Sequence, residues 1–180
     1  MSSQPSEKGL ASLTSHLQTL APSDGSRKEL FTSVIPAVID AVGDIAKALQ
    51  KAHQVVLAGT ANTFGDDQLN VDVAAENILR DTFAAKCPSV VTASSEEDPV
   101  EKPVHSSSTQ KHPEGEGPPE VYTIGFDPLD GSSIIAPNWT VGTILGVWDG
   151  ATAVGQHAGT RQVVSVLGVY GPRTTAVVAI

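Results

Sequence analysis

A layered α/β fold is what the sequence predicts, and three observations predict it. Stretches with apolar residues at helical spacing, Leu30 to Leu49 and Gln68 to Lys86, alternate with short apolar stretches of strand length. Aromatic residues make up 4% of the chain against 40% hydrophobic residues, so the core must be assembled from many small Val, Ile, Leu and Ala contributions. No apolar run reaches the roughly 18 residues that a membrane-spanning helix needs. A length of 180 residues fits one globular domain. The 11 Lys and Arg against 20 Asp and Glu give a formal net charge of −9, which argues against binding nucleic acid or an anionic membrane. A single cysteine, Cys87, leaves no intrachain disulfide and no thiolate metal cluster. The N-terminus has neither an apolar signal core nor an Arg-rich transit pattern, so a reducing, cytoplasmic setting is expected.

In chain order, residues 1–25 read as a flexible leader with a short helix from Leu10 to Leu20 that PSDGS breaks. Ser26 stands where an N-cap would, with Glu29 three residues on, as in a capping box. The stripe Leu30, Phe31, Val34, Ile35, Val38, Val42, Ile45 and Leu49 predicts a long helix, in which Pro36 marks a kink or a break. Gln54 to Ala58 is a short apolar stretch, followed by the loop GTANTFGDDQ and a helix from about Gln68 to Lys86. SVVTAS is a buried strand that stops at Glu96, Glu97 and Asp98. Residues 99–120 are dense in Pro, Gly, Ser and charge and read as a mobile loop. There follow a strand (Val121 to Phe126), the turn DPLDGSS, a β-rich stretch from Trp139 to Trp148, a short helix at about Gly159 to Leu167, and a final strand RTTAVVAI. That last strand is either a buried terminal strand or one that needs a neighbour on its far side, in which case the chain is expected to be the front part of a longer protein.

Acids gather in three segments: Asp66, Asp67 and Asp72, then Glu96 and Glu97, then Asp127 and Asp130. The second and third groups directly follow predicted strands, and ligands of α/β folds bind outside the carboxyl ends of strands. If those strands are neighbours, four carboxylates converge, and like charges at that range need cations. Oxygen-only ligands select Mg²⁺ or Mn²⁺ over Zn²⁺. Pro128 fixes one backbone angle between Asp127 and Asp130, so both carboxylates and the Leu129 carbonyl can face one ion. The backbone N–H groups and hydroxyls of Gly131, Ser132 and Ser133 then form a receptor for phosphate oxygens. Each segment also has an ordinary reading. Asp67 could cap the following helix, Asp72 could be a solvated surface acid, Glu96 to Asp98 a solvated loop start, and Asp127 and Asp130 plain turn formers. Spacing alone reaches metal-dependent phosphate chemistry.

FDPLDGSS resembles the signature of the sugar bisphosphatases, the class 1 fructose-1,6-bisphosphatases and sedoheptulose-1,7-bisphosphatases, within the lithium-sensitive phosphatase superfamily. GDDQLNVD (Gly65 to Asp72) and SEED (Ser95 to Asp98) resemble further segments of that family and favour it over inositol monophosphatases. GTANTFGD, NWTVGTILGVWDG and GVYGPRTT look more like the sedoheptulose branch. The resemblance spans Ser26 to Ile180 and implies the family's N-terminal domain, helices on a mixed β-sheet, with its C-terminal domain missing. It implies metal-ligand roles for Glu96, Asp127, Leu129 (through its carbonyl) and Asp130, with Asp66 as a looser participant. It gives Asp72 and Glu97 the polarisation of the attacking water, and Asp130, Gly131, Ser132 and Ser133 the reacting phosphate. The implied reaction is in-line hydrolysis of the 1-phosphate of a sugar bisphosphate by water on Mg²⁺, for which Mn²⁺ could substitute.

The family pattern continues into a second domain with sugar contacts, a further acidic ligand and basic residues for the distal phosphate. The longer form is expected to be a homo-oligomer, and this chain alone to have little activity, because remote binding energy supports the reacting centre. The loop between Glu97 and Asp127 is longer than usual for the family, and Cys87 alone excludes the intrachain redox disulfide of plastid members. A second expectation, of a different class, is a non-catalytic truncated paralogue that pairs with other subunits through its Leu30 to Leu49 stripe and its last strand.

Overall fold

The computed structural model describes residues 7–61, 65, 67–105 and 120–180, and of residues 7–12 and 67 the backbone alone. Helix α1 runs Glu7–Leu20, three residues earlier than the apolar pattern suggests, and buries Leu17. The Ser26 capping box does not form. The Ser26 N–H donates to Asp24 Oδ1 at 2.9 Å, and Arg27 takes a left-handed φ of 60°. The next helical start is capped from 90 residues away: Glu120 accepts from the N–H of Glu29 (2.9 Å) and of Leu30 (3.1 Å) and from the Tyr122 hydroxyl (2.8 Å). Arg27 makes a bidentate pair with Asp149, both contacts 2.8 Å, which fixes the same corner.

Pro36 does not break the helix: Glu29, Val34 and Ile35 all keep right-handed helical angles, and only the winding changes. A π turn, Leu30–Val34, runs directly into α2 (Ile35–Lys51), and the wider turn lies just where Pro36 removes an N–H from the regular ladder. The predicted stripe faces inward, with Leu30, Val34, Ile35, Val38, Val42 and Ile45 all 2% exposed or less and Leu49 half-buried at its end. Most of it is therefore core of this chain.

Strand β1 (Leu57–Ala61) lies three residues later than the apolar stretch at Gln54 to Ala58 and pairs antiparallel with β2 (Asp67–Leu69). Helix α3 (Asn70–Lys86) follows at once. At its start Asp72 accepts from the Leu69 N–H at 3.0 Å, and the Asp67 side chain, read as a possible cap, lies outside the described residues.

The six-stranded sheet has the order β4-β3-β5-β6-β7-β8, and its members are β3 (Val90–Ser95), β4 (Lys102–Pro103), β5 (Tyr122–Asp130), β6 (Val141–Asp149), β7 (Gln162–Tyr170) and β8 (Thr174–Ala179). Only β3 and β5 pair in parallel, so the sheet is mixed as expected. β4 lies inside the segment read as a loop, and residues 106–119 of that segment are outside the described residues. The helix read at Gly159 to Leu167 reduces to one turn, α4 (Ala158–Arg161), and the rest is β7. In β7 the even residues Val164, Val166, Gly168 and Tyr170 point inward, a period of two that a helix would have broken.

One face of the sheet is sealed by α2 and α3. The T-shaped pair Phe83–Phe126, with ring centroids 5.5 Å apart, joins α3 to β5, and Leu79, Ile124 and Leu145 complete a dry interior. The other face shows Ile144, Leu167 and Val177, neighbours in register and 47%, 40% and 59% exposed. Among the described residues no helix is long and apolar enough to cross a membrane. Glu120→Ala should leave two helix-start amides and the buried Tyr122 hydroxyl without their acceptor and lower stability by about 1–3 kcal/mol in a denaturant titration.

Candidate active site

Parallel pairing decides which acids meet. Ser95 is in register with Phe126, and the Glu96 N–H donates to the Phe126 carbonyl at 3.0 Å, so the chain leaves β3 with Glu96 beside Asp127 of β5. This is the carboxyl end of a parallel strand pair, the position where α/β sheets bind ligands. Burial, then the negative charge of Glu96, pushes the Asp127 carboxyl up to about 7, with Asp130 adding in the same direction.

Asp127 and Asp130 do not sit in a turn, as the sequence suggested. β5 continues through Asp130 with a bulge: Asp127 pairs with Ile144 and Asp130 with Gly142, so three steps on β5 match two on β6. Pro128 is tolerated there because a bulge frees its position from the ladder. Within the bulge the Leu129 N–H donates to Asp127 Oδ1 at 3.0 Å, and the Leu129 side chain is buried. The turn begins only at Gly131, whose φ of 83° suits glycine, and Ser132–Ile134 form one 3-10 turn.

That turn reaches the second group of acids. Asp72, 3% exposed at the start of α3, takes a hydrogen bond from the Ser132 hydroxyl as well as from the Leu69 amide, while burial raises its pKa. Glu97 is held by Gln68 Nε2 and is also raised, first by burial, then by the charges of Asp72, Glu96 and Glu76. Asp72, Glu96, Glu97, Asp127, Asp130 and Ser132 thus form one connected group drawn from three chain segments. Asp66 lies outside the described residues.

Several supporting residues escape a motif-based reading. Ser95 Oγ donates to Glu76 at 2.9 Å and accepts from the Asp98 N–H at 3.0 Å, which shapes the turn that presents Glu96 and Glu97. Arg80 Nε donates to Glu76 at 2.5 Å, and the guanidinium lies 5.5 Å over the Phe126 ring and 3.9 Å from Asp98. Lys102 also pairs with Asp98. Asp98 therefore faces cations, whereas the two glutamates before it face acids. The signal available in the sequence was the spacing of Asp72, Glu76 and Arg80, four residues apart on one helix face.

All-oxygen donors crowded enough to raise Asp127 match the chemistry of a hard divalent cation. Among the described residues, however, no group of three or more His, Cys, Asp or Glu side chains is arranged to hold a metal ion. The carboxylates are paired here, without a closed shell.

The family model described as fructose-1-6-bisphosphatase, N-terminal domain, matches residues 16–180. The chain belongs to the fructose-1,6-bisphosphatase family. A chloroplastic sedoheptulose-1,7-bisphosphatase of Triticum aestivum is 41% identical over 133 residues, 72% of this chain and 30% of the wheat protein. A Toxoplasma gondii crystal structure described as that of a sedoheptulose-1,7-bisphosphatase superposes with a TM-score of 0.70 at 38% identity, covering 92% of this chain and 49% of that one. The holo fructose-1,6-bisphosphatase of Leishmania major gives a TM-score of 0.72 at 26% identity, covering 93% of this chain and 51% of that one. The chain thus spans about 30% of the length of the curated sedoheptulose relatives it matches, and about half of the solved bisphosphatase chains.

The raised Asp127 carboxyl makes the stability of this fructose-1,6-bisphosphatase family member depend on pH. Its folded value of about 7 lies above the ordinary 3.8, so the folded chain keeps a proton that the unfolded chain loses, and stability falls as pH rises from about 4 to about 7. Asp127→Asn should therefore raise the melting temperature at pH 8, by a few degrees at ~3 °C per kcal/mol after solvent screening, and change it little at pH 4.

Proposed function

We propose that this chain carries the hydrolytic residues of an Mg²⁺-dependent sugar bisphosphatase. The substrate class is sedoheptulose 1,7-bisphosphate or fructose 1,6-bisphosphate, as the names of its relatives have it, and the bond broken is that of the 1-phosphate. The observation that carries the reading is the placement of Glu96 beside Asp127 at the carboxyl end of β3 and β5, with Ser132 tied to Asp72 across the same site. Glu96, Asp127, Asp130 and the Leu129 carbonyl would hold the cation, with Asp66 as a further oxygen donor. Mg²⁺, when bound, supplies the positive charge that lets these carboxylates ionise together and a Lewis acid for phosphate oxygens, a role Mn²⁺ can take.

Asp130, Gly131, Ser132 and Ser133 orient the phosphate through the backbone amides and the Ser133 hydroxyl at the start of the 3-10 turn. The Glu97 carboxylate, one oxygen of which Gln68 Nε2 holds, takes a proton from the attacking water. Its raised pKa brings it nearer the operating pH of a general base. Asp72 keeps the Ser132 hydroxyl in place and adds to the field that raises Glu97. The chain spans about half the length of the bisphosphatases of known structure, and because binding energy remote from the reacting phosphate supports the reacting centre, turnover by these 180 residues alone is expected to be slow.

The test joins cation binding to phosphate release. Mg²⁺ or Mn²⁺ should raise the melting temperature at pH 8, and Asp127→Asn should abolish that rise. Slow phosphate release from either bisphosphate should require the cation, and Glu97→Gln should cut it at least ~100-fold while the melting response stays. If neither cation shifts the melting temperature and no release depends on it, the reading fails. A second reading, a non-catalytic interaction module, is favoured by one observation, the exposed apolar row Ile144, Leu167 and Val177. In that case the chain should self-associate, and Val177→Asp should return it to monomer on size exclusion.

A further inference from the structure

The β5 bulge that carries Asp127 and Asp130 is tied down from behind by two residues outside the site. Between the pairs Asp127 to Ile144 and Asp130 to Gly142, two residues of β5, Pro128 and Leu129, face one residue of β6, Thr143. A bulge leaves a carbonyl without its ladder partner. Here the Thr143 hydroxyl replaces that partner, with Oγ1 2.8 Å from the Pro128 carbonyl. A carbonyl only accepts, so the single Thr143 proton goes to Pro128. The Tyr170 hydroxyl, 2.6 Å from Thr143 Oγ1, must then donate to it. Thr143 is 1% exposed and Tyr170 7%, so water does not compete for these bonds.

Space for this relay comes from Gly168, which pairs with Thr143 in register. A Cβ there would lie 2.9 Å from Val42 Cγ1 and 3.1 Å from the Tyr170 hydroxyl oxygen. The relay therefore joins the sheet interior under α2 to the backbone between the two aspartates.

We propose that Thr143 and Tyr170 are positioning residues: by holding the Pro128 carbonyl they set the aim of Asp127 and Asp130. The inference deepens the proposed function and rests on its assignment of those two carboxylates. Neither residue touches the site, so their effect passes through the bulge.

The test uses the 180-residue chain, with amide hydrogen exchange by NMR and Mn²⁺ titration by electron paramagnetic resonance. In Thr143→Val the Leu129 amide should exchange about tenfold faster while the β8 amides stay within about twofold, and Mn²⁺ affinity should fall several-fold. Thr143→Ser, which keeps the hydroxyl, should restore both. Tyr170→Phe, which keeps the ring, should give a smaller change of the same pattern, and it decides by the same readings if Thr143→Val does not fold.

The inference is overturned if Leu129 exchange is unchanged, if all sheet amides speed up alike, if serine fails to rescue, or if Mn²⁺ affinity is indifferent to the loss of the hydroxyl. A parent chain that binds no Mn²⁺ would instead defeat the metal reading. The exchange pattern and its rescue by serine would then decide the positioning by themselves.

Discussion

Parallel pairing of β3 with β5 forces like charges together, and much of the surrounding structure answers that constraint. Once Ser95 lies opposite Phe126, the next residue of each strand is an acid, Glu96 on one and Asp127 on the other. Repulsion at that range cannot be relaxed by moving the strands, because both are hydrogen-bonded into a six-stranded sheet whose inner face is packed on α2 and α3. Burial raises the Asp127, Asp72 and Glu97 carboxyls, and at Asp127 and Glu97 the neighbouring acids add to it. A group of acids arranged in this way is costly to the apo fold and suited to a cation.

Neutralising charge is kept at one side of the cluster. Arg80 and Lys102 converge on Asp98, and Arg80 also serves Glu76 and stacks over Phe126. Glu76 and Ser95 in turn shape the turn that carries Glu96 and Glu97. Had Arg80 reached Glu96 or Glu97 instead, the acids would be satisfied within the chain and have less need of an ion.

At the opposite end of β5, the Glu120 carboxylate joins the start of the α2 segment to Tyr122, and Arg27 joins the same corner to Asp149 of β6. These contacts span about half the chain and anchor the helical layer against the sheet. The β5 strand is thus held at one end by a helix start and at the other by its bulge. That gives the acids a rigid frame, which catalysis by positioning requires.

What the sequence determined by itself is local. Apolar spacing revealed α2 and α3, the short runs marked β3, β6 and β8, and the acids Asp72, Glu96, Glu97, Asp127 and Asp130 are those the fold gathers. Such signals are legible because neighbours in the chain create them. Only the tertiary structure decided the rest. Val163, Val164 and Leu167 suit a helix period as well as a strand, and the inward face of β7 became defined only when α2 and β6 lay beside it. The cap on the α2 segment came from Glu120, the bulge arose from pairing with β6, and Asp72 closed the start of α3 on the Leu69 amide. Most of these features depend on residues far apart in the chain, and no periodicity or turn propensity within a segment encodes which distant surface it will meet.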